Sequence, residues 1–315
     1  MTDINREIER LDWHREPYGL YEPIEYTLST GGKRLRPQLA ILGSSLFGGK
    51  EEDALPAALA LEVFHNFTLL HDDVMDKAPV RRGRPTVHVR WNNNTAILSG
   101  DQMMIEAYKQ LSRIKDDKLP YVLRLFNDMA TGICEGQQLD MEFEQREDVS
   151  ISEYINMIRL KTSLLLGYAL QIGAYIAGAG ETEQKTAYEF GENLGLAFQI
   201  QDDLLDVYGD PDTFGKAIGG DILCGKKTFM LLSALKMADS NTGSRLLTLL
   251  RSDITGEERI NSVKEIYDYL NVKKAAEDAI SGYTHKAKTL LSHLPQNAAN
   301  TTLRQLADHL TARQS

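Results

Sequence analysis

The chain has 315 residues, 42% of them hydrophobic, and its 45 acidic and 35 basic residues give a net charge of −10. This length and apolar content can bury a sizeable core, whereas the acidic balance argues against a nucleic-acid-binding protein, which needs a basic surface. The N-terminal stretch is charged and lacks the apolar segment of a signal peptide, and we find no stretch apolar enough to span a membrane. We therefore expect a cytoplasmic protein, with Cys134 and Cys224 as buried or half-buried free thiols.

Helical periodicity recurs along the whole chain. Loops are expected at 77–87, which holds two prolines and four cations, and at 212–227. We find no alternation of apolar and polar residues of the kind that predicts a strand. The segments predicted to be helical are 3–16, 19–30, 37–47, 51–76, 88–112, 118–145, 150–177 and 182–208, then 229 to about 237 and several shorter amphipathic pieces.

This pattern predicts an all-α protein with about ten or more helices. Because no linker rich in Pro, Ser or Gly interrupts the chain, residues 1–315 are expected to form a single domain. The chemically informative motifs fall between about residues 30 and 230. The remaining helical part, 231–315, carries no motif that indicates a role.

Two helices are predicted to end in the same acidic pattern, D-D-x-x-D, after an apolar run. Carboxylates at positions i and i+4 lie on one face of a helix and repel each other, so each patch needs a cation. Oxygen ligands suit Mg²⁺, which commonly bridges carboxylates to phosphates. A solvated acidic face is the alternative, but the recurrence and the apolar context argue against it. The residues are Asp72, Asp73 and Asp76 in the first motif, and Asp202, Asp203 and Asp206 in the second.

Basic residues cluster near the predicted helix ends, where a phosphate ligand could be bound. Some of these cations could instead be surface charge or simply neutralise the acidic patches. Lys161 is harder to explain in that way, because it lies in an apolar run and a cation there should be paired or functional. The clusters are Lys33 and Arg36 after Gly31-Gly32, then Arg81-Arg82, Lys161-Thr162, and Lys216, Lys226 and Lys227 around Gly219-Gly220-Asp221.

Together these motifs resemble the trans-isoprenyl diphosphate synthases. The resemblance rests on G-G-K-R-x-R-P, the first D-D-x-x-D, R-R-G-x-P, K-T, F-Q-x-x-D-D-x-x-D, G-G-D and K-K-T, in that order. It implies an all-α bundle around a deep central cavity and a homodimer. It also implies Mg²⁺-dependent, head-to-tail condensation of isopentenyl diphosphate with an allylic diphosphate, with about three Mg²⁺ ions per active site.

The resemblance assigns roles to individual residues. The implied metal ligands are Asp72 and Asp76 with Asp73 beside them, Asp202 supported by Asp203 and Asp206, and Asp140 near the metals. The implied contacts of the allylic substrate are Arg81, Lys161, Thr162, Gln199, Lys216 and Lys226, of which Arg81, Lys161, Thr162 and Gln199 are the expected catalytic residues. The implied contacts of isopentenyl diphosphate are Lys33, Arg36, His65 and Arg82.

Product length should be set by the floor of the apolar pocket, one and two turns before Asp72. Phe67 and Thr68 lie one turn deeper, and Phe64 two turns deeper. An aromatic ring at Phe67 would stop a growing chain early, which favours C15 or C20 products. In the alternative interpretation, Phe67 packs against a neighbouring helix as part of the core.

Three other functions remain open at this point. One is a synthase of longer polyprenyl diphosphates. A second is a terpene cyclase, which would need neither the Lys33–Arg36 cluster nor the second acidic motif. A third is a non-catalytic subunit of a heteromeric synthase, which should have lost motif residues that this chain retains.

Overall fold

The structure, a computed structural model, describes residues 2–210, 218–252, 254 and 256–311. Most of these residues are helical, and they form more than ten helices, as predicted. The helices up to the middle of the chain are α1 Ile4–Glu9, α2 Tyr18–Ser29, α3 Leu35–Leu46, α4 Glu51–Met75, α5 Val87–Arg90, α6 Asn93–Leu111 and α7 Leu119–Gln145. A small antiparallel hairpin, β1 Val80–Arg81 and β2 Arg84–Pro85, lies between α4 and α5.

The second half of the described chain is also helical. A π-helix, Arg159–Ser163, separates α8 from α9. The helices are α8 Ile151–Ile158, α9 Leu164–Ile176, α10 Glu181–Tyr208, α11 Gly220–Cys224, α12 Phe229–Met237, α13 Ser240–Arg251, α14 Gly256–Tyr269, α15 Val272–Ser292 and α16 Ala298–Thr311. No helix in the described residues is long and apolar enough to cross a membrane.

Local sequence accounts for many of the helix boundaries. Ser150 and Glu153 form a capping box at the start of α8, which satisfies backbone N–H groups that have no partner inside the helix. Asn92 caps α6 by accepting a hydrogen bond from the Thr95 backbone at 2.9 Å. Pro37 lies in the first turn of α3, where its missing N–H costs no helical hydrogen bond.

The contacts divide the chain into two compact units built from non-contiguous segments. The first contains the chain up to Asn127 together with Tyr168–Tyr188 and Leu294–Asn300. In this unit, α4 packs mainly against α3 and α6, and its Phe64 is only 1% exposed. Gly43 on α3 allows a close approach of α9, because a side chain at this position would collide with the backbone of Leu170.

The second unit contains Asp128–Gly167, Glu189–His293 and the chain from Thr301. Its core is an apolar cluster to which α8, α10, α12, α14 and α15 contribute buried side chains. The single-domain prediction for residues 1–315 stays a prediction.

The structure corrects several expectations. The helix expected at 88–112 is divided into α5 and α6, and the loop expected at 77–87 contains the β1–β2 hairpin. Residues 150–177 do not form one α-helix, because the π-helix interrupts them. The loop expected at 212–227 contains α11, which begins and ends at glycines with left-handed backbone and buries Ile222. The first helix ends at Glu9, well before residue 16. Both cysteines are free thiols, as expected, but they are exposed.

Candidate active site

The first acidic motif lies at the carboxyl end of α4. Asp72 and Asp73 belong to the last turn, and Asp76 is the C-cap residue. This end of a helix carries a partial negative charge, so carboxylates here are disfavoured unless a cation neutralises them. Arg81, from the hairpin, supplies one cation.

Arg81 contacts the first motif mainly through Asp73. Its Nε donates to both carboxylate oxygens of Asp73, at 2.8 and 2.9 Å, whereas its Nη2 is 3.8 Å from Asp72 Oδ2. Burial alone would lower the pKa of Arg81, but hydrogen bonding to Asp73 and the charge of Asp73 raise it, so the guanidinium stays charged. Since Asp73 is buried and engaged by arginine, Asp72 and Asp76 are the better candidates for metal binding.

The positive charges of four arginines act on His65, which lies about two turns before Asp72 on α4. Burial and these positive charges hold the pKa of His65 well below its usual value of 6.5, so the imidazole is neutral at pH 7. A concentration of cations around a neutral hydrogen-bonding ring is suited to a doubly charged phosphate ligand. The arginines are Arg36, Arg82, Arg81 and Arg34.

The Gly-Gly turn before α3 contacts the Arg-Arg sequence of the hairpin. Arg82 donates a hydrogen bond from Nη1 to the carbonyl of Gly31. Gly32 has a φ of +138°, and a side chain there would lie 2.9 Å from Arg82 Nη1. Only glycine fits this turn without displacing the guanidinium. Lys33 follows in the same loop and is exposed. Two basic motifs that are distant in sequence therefore lie together.

A row of aromatic rings extends down α4 from the acidic motif. The ring centroids of Phe67 and His71 are 4.8 Å apart, those of Phe64 and Phe67 are 5.4 Å apart, and those of Phe64 and Phe126 are 5.1 Å apart. Phe67 is half-buried, whereas Phe64 is part of the core. Thr68 directs its hydroxyl to the carbonyl of His65 at 2.8 Å.

In the second unit, Lys161 lies in the π-helix and pairs with Asp140 of α7. The distance from Lys161 Nζ to Asp140 Oδ2 is 2.6 Å, and Lys226 Nζ is 3.7 Å from the same oxygen. Burial tends to raise the pKa of Asp140, but Lys226 and Lys161 together bring it below its usual value. π-Helical turns are common at functional sites, because the wider turn reorients side chains and carbonyl groups.

The second acidic motif belongs to a hydrogen-bonded network around Asp203. Thr162 donates to Gln199 Oε1 at 3.1 Å, and Gln199 Nε2 donates to Asp203 Oδ1 at 3.3 Å. The Tyr154 hydroxyl and the backbone N–H of Phe229, the latter at 2.9 Å, donate to Asp203 Oδ2. Burial and the negative charge of Asp221 raise the pKa of Asp203 to about 7, despite these donors.

Asp206, the last residue of the second motif, fixes the segment that carries the G-G-D sequence. Its carboxylate accepts a hydrogen bond from the Asp221 backbone at 3.0 Å, and its carbonyl accepts one from the Gly219 backbone at 2.6 Å. Asp202 lies on the same helix, α10. Lys216 lies outside the described residues.

The acidic motifs have the right chemistry for Mg²⁺, since both offer carboxylate oxygens. Within the described part of the chain, no group of three or more His, Cys, Asp or Glu side chains is arranged to hold an ion by itself. The donor set fits a hard cation that completes its coordination with water and phosphate oxygens. In the first unit Asp72 and Asp76 would offer such oxygens to a cation, and in the second unit Asp202 and Asp206 would do the same.

Comparison with known proteins identifies the family. The family model described as polyprenyl synthetase matches residues 17–270. The chain belongs to this family. It is therefore a prenyltransferase of isoprenoid biosynthesis, as the motifs predicted, and the family generally depends on Mg²⁺.

Individual relatives agree with this assignment. A short chain isoprenyl diphosphate synthase of Methanocaldococcus jannaschii is 43% identical, over 78% of this chain and 76% of the relative. A geranylgeranyl diphosphate synthase of Methanosarcina mazei is 36% identical, over 99% of this chain and 95% of the relative. A crystal structure of a geranylgeranyl pyrophosphate synthase superposes with a TM-score of 0.93 and 43% identity, over all of both chains.

The sequence pattern assigns no role to several residues that the structure places in contact with the motifs. Tyr154 was part of an apolar helical pattern, and Arg34 was one letter in a basic motif. Asp221 belonged to the G-G-D sequence without a function of its own. Tyr154 and Arg34 make buried side-chain hydrogen bonds to Asp203 and Glu62, which are distant in sequence, and Asp221 donates its backbone N–H to Asp206. Local sequence patterns do not contain these contacts.

Proposed function

We propose that this polyprenyl synthetase condenses isopentenyl diphosphate with an allylic diphosphate to give a C15 or C20 all-trans prenyl diphosphate and diphosphate. The observation that carries the proposal is the arginine cluster around neutral His65, on the same helix as the first acidic motif. One helix thus offers two kinds of phosphate site. The carboxyl end of α4 would hold a metal that binds phosphate, and the arginines whose charges act on His65, two turns earlier on α4, would bind phosphate directly.

Lys33, Arg36, His65 and Arg82 would hold isopentenyl diphosphate. The Gly31–Arg82 hydrogen bond supports this grouping, because it brings the G-G-K-R-x-R-P and R-R-G-x-P motifs together in the first unit. Neutral His65 can donate one hydrogen bond to a phosphate oxygen without adding a fifth positive charge. The double bond of this bound substrate is the nucleophile.

Ionisation of the allylic substrate places negative charge on its leaving diphosphate and positive charge on its carbon chain. Arg81, Lys161 and Lys226 would stabilise the diphosphate, and Lys216 would add to them. Thr162 and Gln199 are joined by a hydrogen bond, and their dipoles would face the allylic cation while apolar side chains exclude water. The departing diphosphate is our proposed acceptor of the final proton.

We propose about three Mg²⁺ ions per active site. Bound to the acidic motifs, these ions would neutralise the leaving diphosphate as Lewis acids. Asp72, Asp76, Asp202 and Asp206 would bind them, while Asp73 and Asp203 would orient the motifs from buried positions. Asp140 would hold Lys161 and Lys226 in place, as the 2.6 Å contact with Lys161 supports.

We propose that Phe67, together with Thr68 and Phe64, forms the floor of the pocket and limits the length of the product. The half-buried Phe67 ring supports its assignment as the pocket floor, and the names of the relatives, which include geranylgeranyl diphosphate synthases, favour a short product.

The direct test is incubation of the purified protein with Mg²⁺, labelled isopentenyl diphosphate and, separately, dimethylallyl, geranyl or farnesyl diphosphate. We expect label in C15 or C20 products. Label confined to much longer chains would favour the long-chain alternative. Diphosphate release from the allylic substrate without isopentenyl incorporation would indicate a cyclase, and no turnover of any primer would refute the proposal.

A homodimer is also proposed, because one side of α6 exposes an apolar stripe. Exposed residues recur there at helical spacing, and unpartnered apolar stripes of this kind commonly bind another helix. They are Ile97, Leu98, Met104, Ile105 and Tyr108. In light scattering, the wild-type protein should have the mass of a dimer and the double variant Leu98→Asp, Ile105→Asp the mass of a monomer. A monomeric wild type would contradict the proposal.

A further inference from the structure

Arg34, one of the four arginines whose charges act on His65, forms a buried ion pair with Glu62. Arg34 is 7% exposed and Glu62 is 3% exposed. The distance from Arg34 Nη1 to Glu62 Oε1 is 2.7 Å. The motif that contains Lys33 and Arg36 thus includes one arginine whose charge is directed into the protein rather than towards a ligand.

The guanidinium of Arg34 links three segments in addition to its own. Its Nη2 donates to the carbonyl of Leu28 at 2.6 Å, at the end of α2, and its Nε donates to Asn5 Oδ1 at 3.0 Å, in α1. Glu62 lies on α4, and its Oε1 also accepts a hydrogen bond from Asn66 at 3.0 Å. A lysine could not make this set of contacts, because it lacks the planar fork of donors.

Arg34 also has an unusual backbone. It is the N-cap of α3, with φ 46° and ψ 40°, a left-handed conformation that is uncommon for a residue with a side chain. Such a conformation persists when the surroundings over-determine it. Here the buried guanidinium fixes Arg34, and this in turn fixes the directions of Lys33 before it and Arg36 after it.

The negative charge of Glu62 also acts on Arg82, one of the proposed contacts of isopentenyl diphosphate. Glu62 lies one turn before His65 on α4, and its negative charge raises the pKa of Arg82, opposing the lowering caused by burial. Its other oxygen, Oε2, is buried and accepts no hydrogen bond from the described residues. The carboxylate therefore has one oxygen committed to Arg34 and Asn66, while its charge offsets repulsion among the neighbouring arginines.

We propose that Arg34 and Glu62 are positioning residues for the isopentenyl diphosphate site, acting through Lys33, Arg36 and Arg82 without touching the substrate. This inference rests on the proposed function. Within G-G-K-R-x-R-P, the first arginine, Arg34, would hold the site in shape, and the second, Arg36, would contact the ligand. The inference also explains why a glutamate occurs in the apolar part of α4.

Steady-state kinetics of Arg34→Lys and Glu62→Gln test the proposal. We expect the KM for isopentenyl diphosphate to rise roughly tenfold or more, while the KM for the allylic diphosphate stays within about twofold of wild type. The matched control is Glu106→Gln. Glu106 is also a buried glutamate paired with an arginine, Arg15 at 3.4 Å, but it lies outside the proposed substrate contacts. This control should leave both KM values unchanged.

A double variant separates positioning from simple stabilisation. Breaking a buried ion pair destabilises a protein, whereas replacing both partners by apolar residues often restores stability. Arg34→Met with Glu62→Leu should recover the thermal midpoint lost in Glu62→Gln, yet keep the raised KM for isopentenyl diphosphate. Recovery of that KM together with stability would show a merely structural role and overturn the proposal, as would equal rises in both KM values.

Binding of inorganic diphosphate, measured by calorimetry without turnover, makes the test independent of the proposed reaction. The Arg34→Lys and Glu62→Gln variants should bind it more weakly than wild type, and Glu106→Gln should bind it equally well. If wild type makes no product but both variants bind diphosphate more weakly than wild type does, the proposed function fails, while Arg34 and Glu62 still position a phosphate site. If both variants bind diphosphate as wild type does, the inference fails.

Discussion

The hydroxyl of Tyr154 on α8 donates a hydrogen bond to the buried carboxylate of Asp203 on α10. The same carboxylate accepts from Gln199 and from the backbone at the start of α12. Asp203 is 4% exposed, so its carboxylate contacts buried groups of the protein rather than solvent. These contacts connect Asp203 to α8 and to the start of α12, so we expect them to hold in place the part of α10 that carries Asp202 and Asp206.

Tyr154→Phe should therefore weaken metal-dependent activity without removing a metal ligand. The buried Asp203 carboxylate loses one donor, which we expect to cost about 1–3 kcal/mol of stability. Because partners of this kind orient the ligands beside them, kcat should fall roughly 10- to 100-fold and half-maximal activity should require more Mg²⁺. A titration of activity against Mg²⁺ measures both effects.

The chain offers a matched control in Tyr208→Phe. Tyr208 also donates to an aspartate, Asp268, at 2.6 Å, but this pair is exposed. The control should keep the wild-type Mg²⁺ requirement. Equal effects of the two substitutions would mean that the Tyr154–Asp203 bond does not orient the motif.

The depressed pKa of His65 predicts a pH dependence of stability. Between that pKa and about 6.5, the unfolded chain binds a proton that the folded state does not. Lowering the pH through this window favours unfolding, so stability rises with pH up to about 6.5 and then gains nothing more from His65. His65→Asn, which cannot titrate, should flatten this part of the profile.

Thermal midpoints measured from pH 4 to 8 provide the comparison. His309→Asn changes an exposed histidine and serves as the control. Carboxylates also titrate at the acidic end, so the informative quantity is the difference between the variant and wild-type curves. Parallel curves for wild type and His65→Asn would rule out a histidine held neutral by burial and by the arginine charges.

The sequence predicted the parts of this protein that depend on local pattern. The helix at 51–76 was placed within one residue of α4, since apolar periodicity and the acidic terminus mark its bounds. The π-helix was missed, because Arg159–Ser163 has no residue that breaks a helix and lies between two apolar helical segments. Its close approach to Gly136 and Gly195 is a tertiary contact that local sequence does not contain. The role of Tyr154 was missed for a related reason, since its partner lies 49 positions away.

Gly136 on α7 provides a test of the π-helix. A side chain there would collide with the backbone nitrogen of Lys161 and lie 2.8 Å from its Cα. Gly136→Ala should push the π-helix away and displace Lys161 from Asp140, so we expect a loss of kcat of roughly 10-fold or more from misplacement of this cation. The folded content, followed by circular dichroism, should change little.

Gly282→Ala on α15 is the control for this substitution. Nothing lies within 4 Å of the added carbon, so alanine should raise helix stability by roughly 0.5–1 kcal/mol and leave kcat unchanged. Wild-type activity in Gly136→Ala would show that the position of Lys161 does not depend on this close approach.

Substitutions of Phe67 and Phe64 distinguish the two interpretations of Phe67, either as the floor of the pocket or as part of the core. Phe67 is half-buried, whereas Phe64 is 1% exposed and packs against Phe126. If Phe67 is the pocket floor, Phe67→Ala should extend the products beyond those of wild type at a modest cost in stability. Phe64→Ala opens a cavity in the core and should cost about 3–5 kcal/mol. Product length is read by chromatography after dephosphorylation. Unchanged product length in Phe67→Ala would assign this ring to the core.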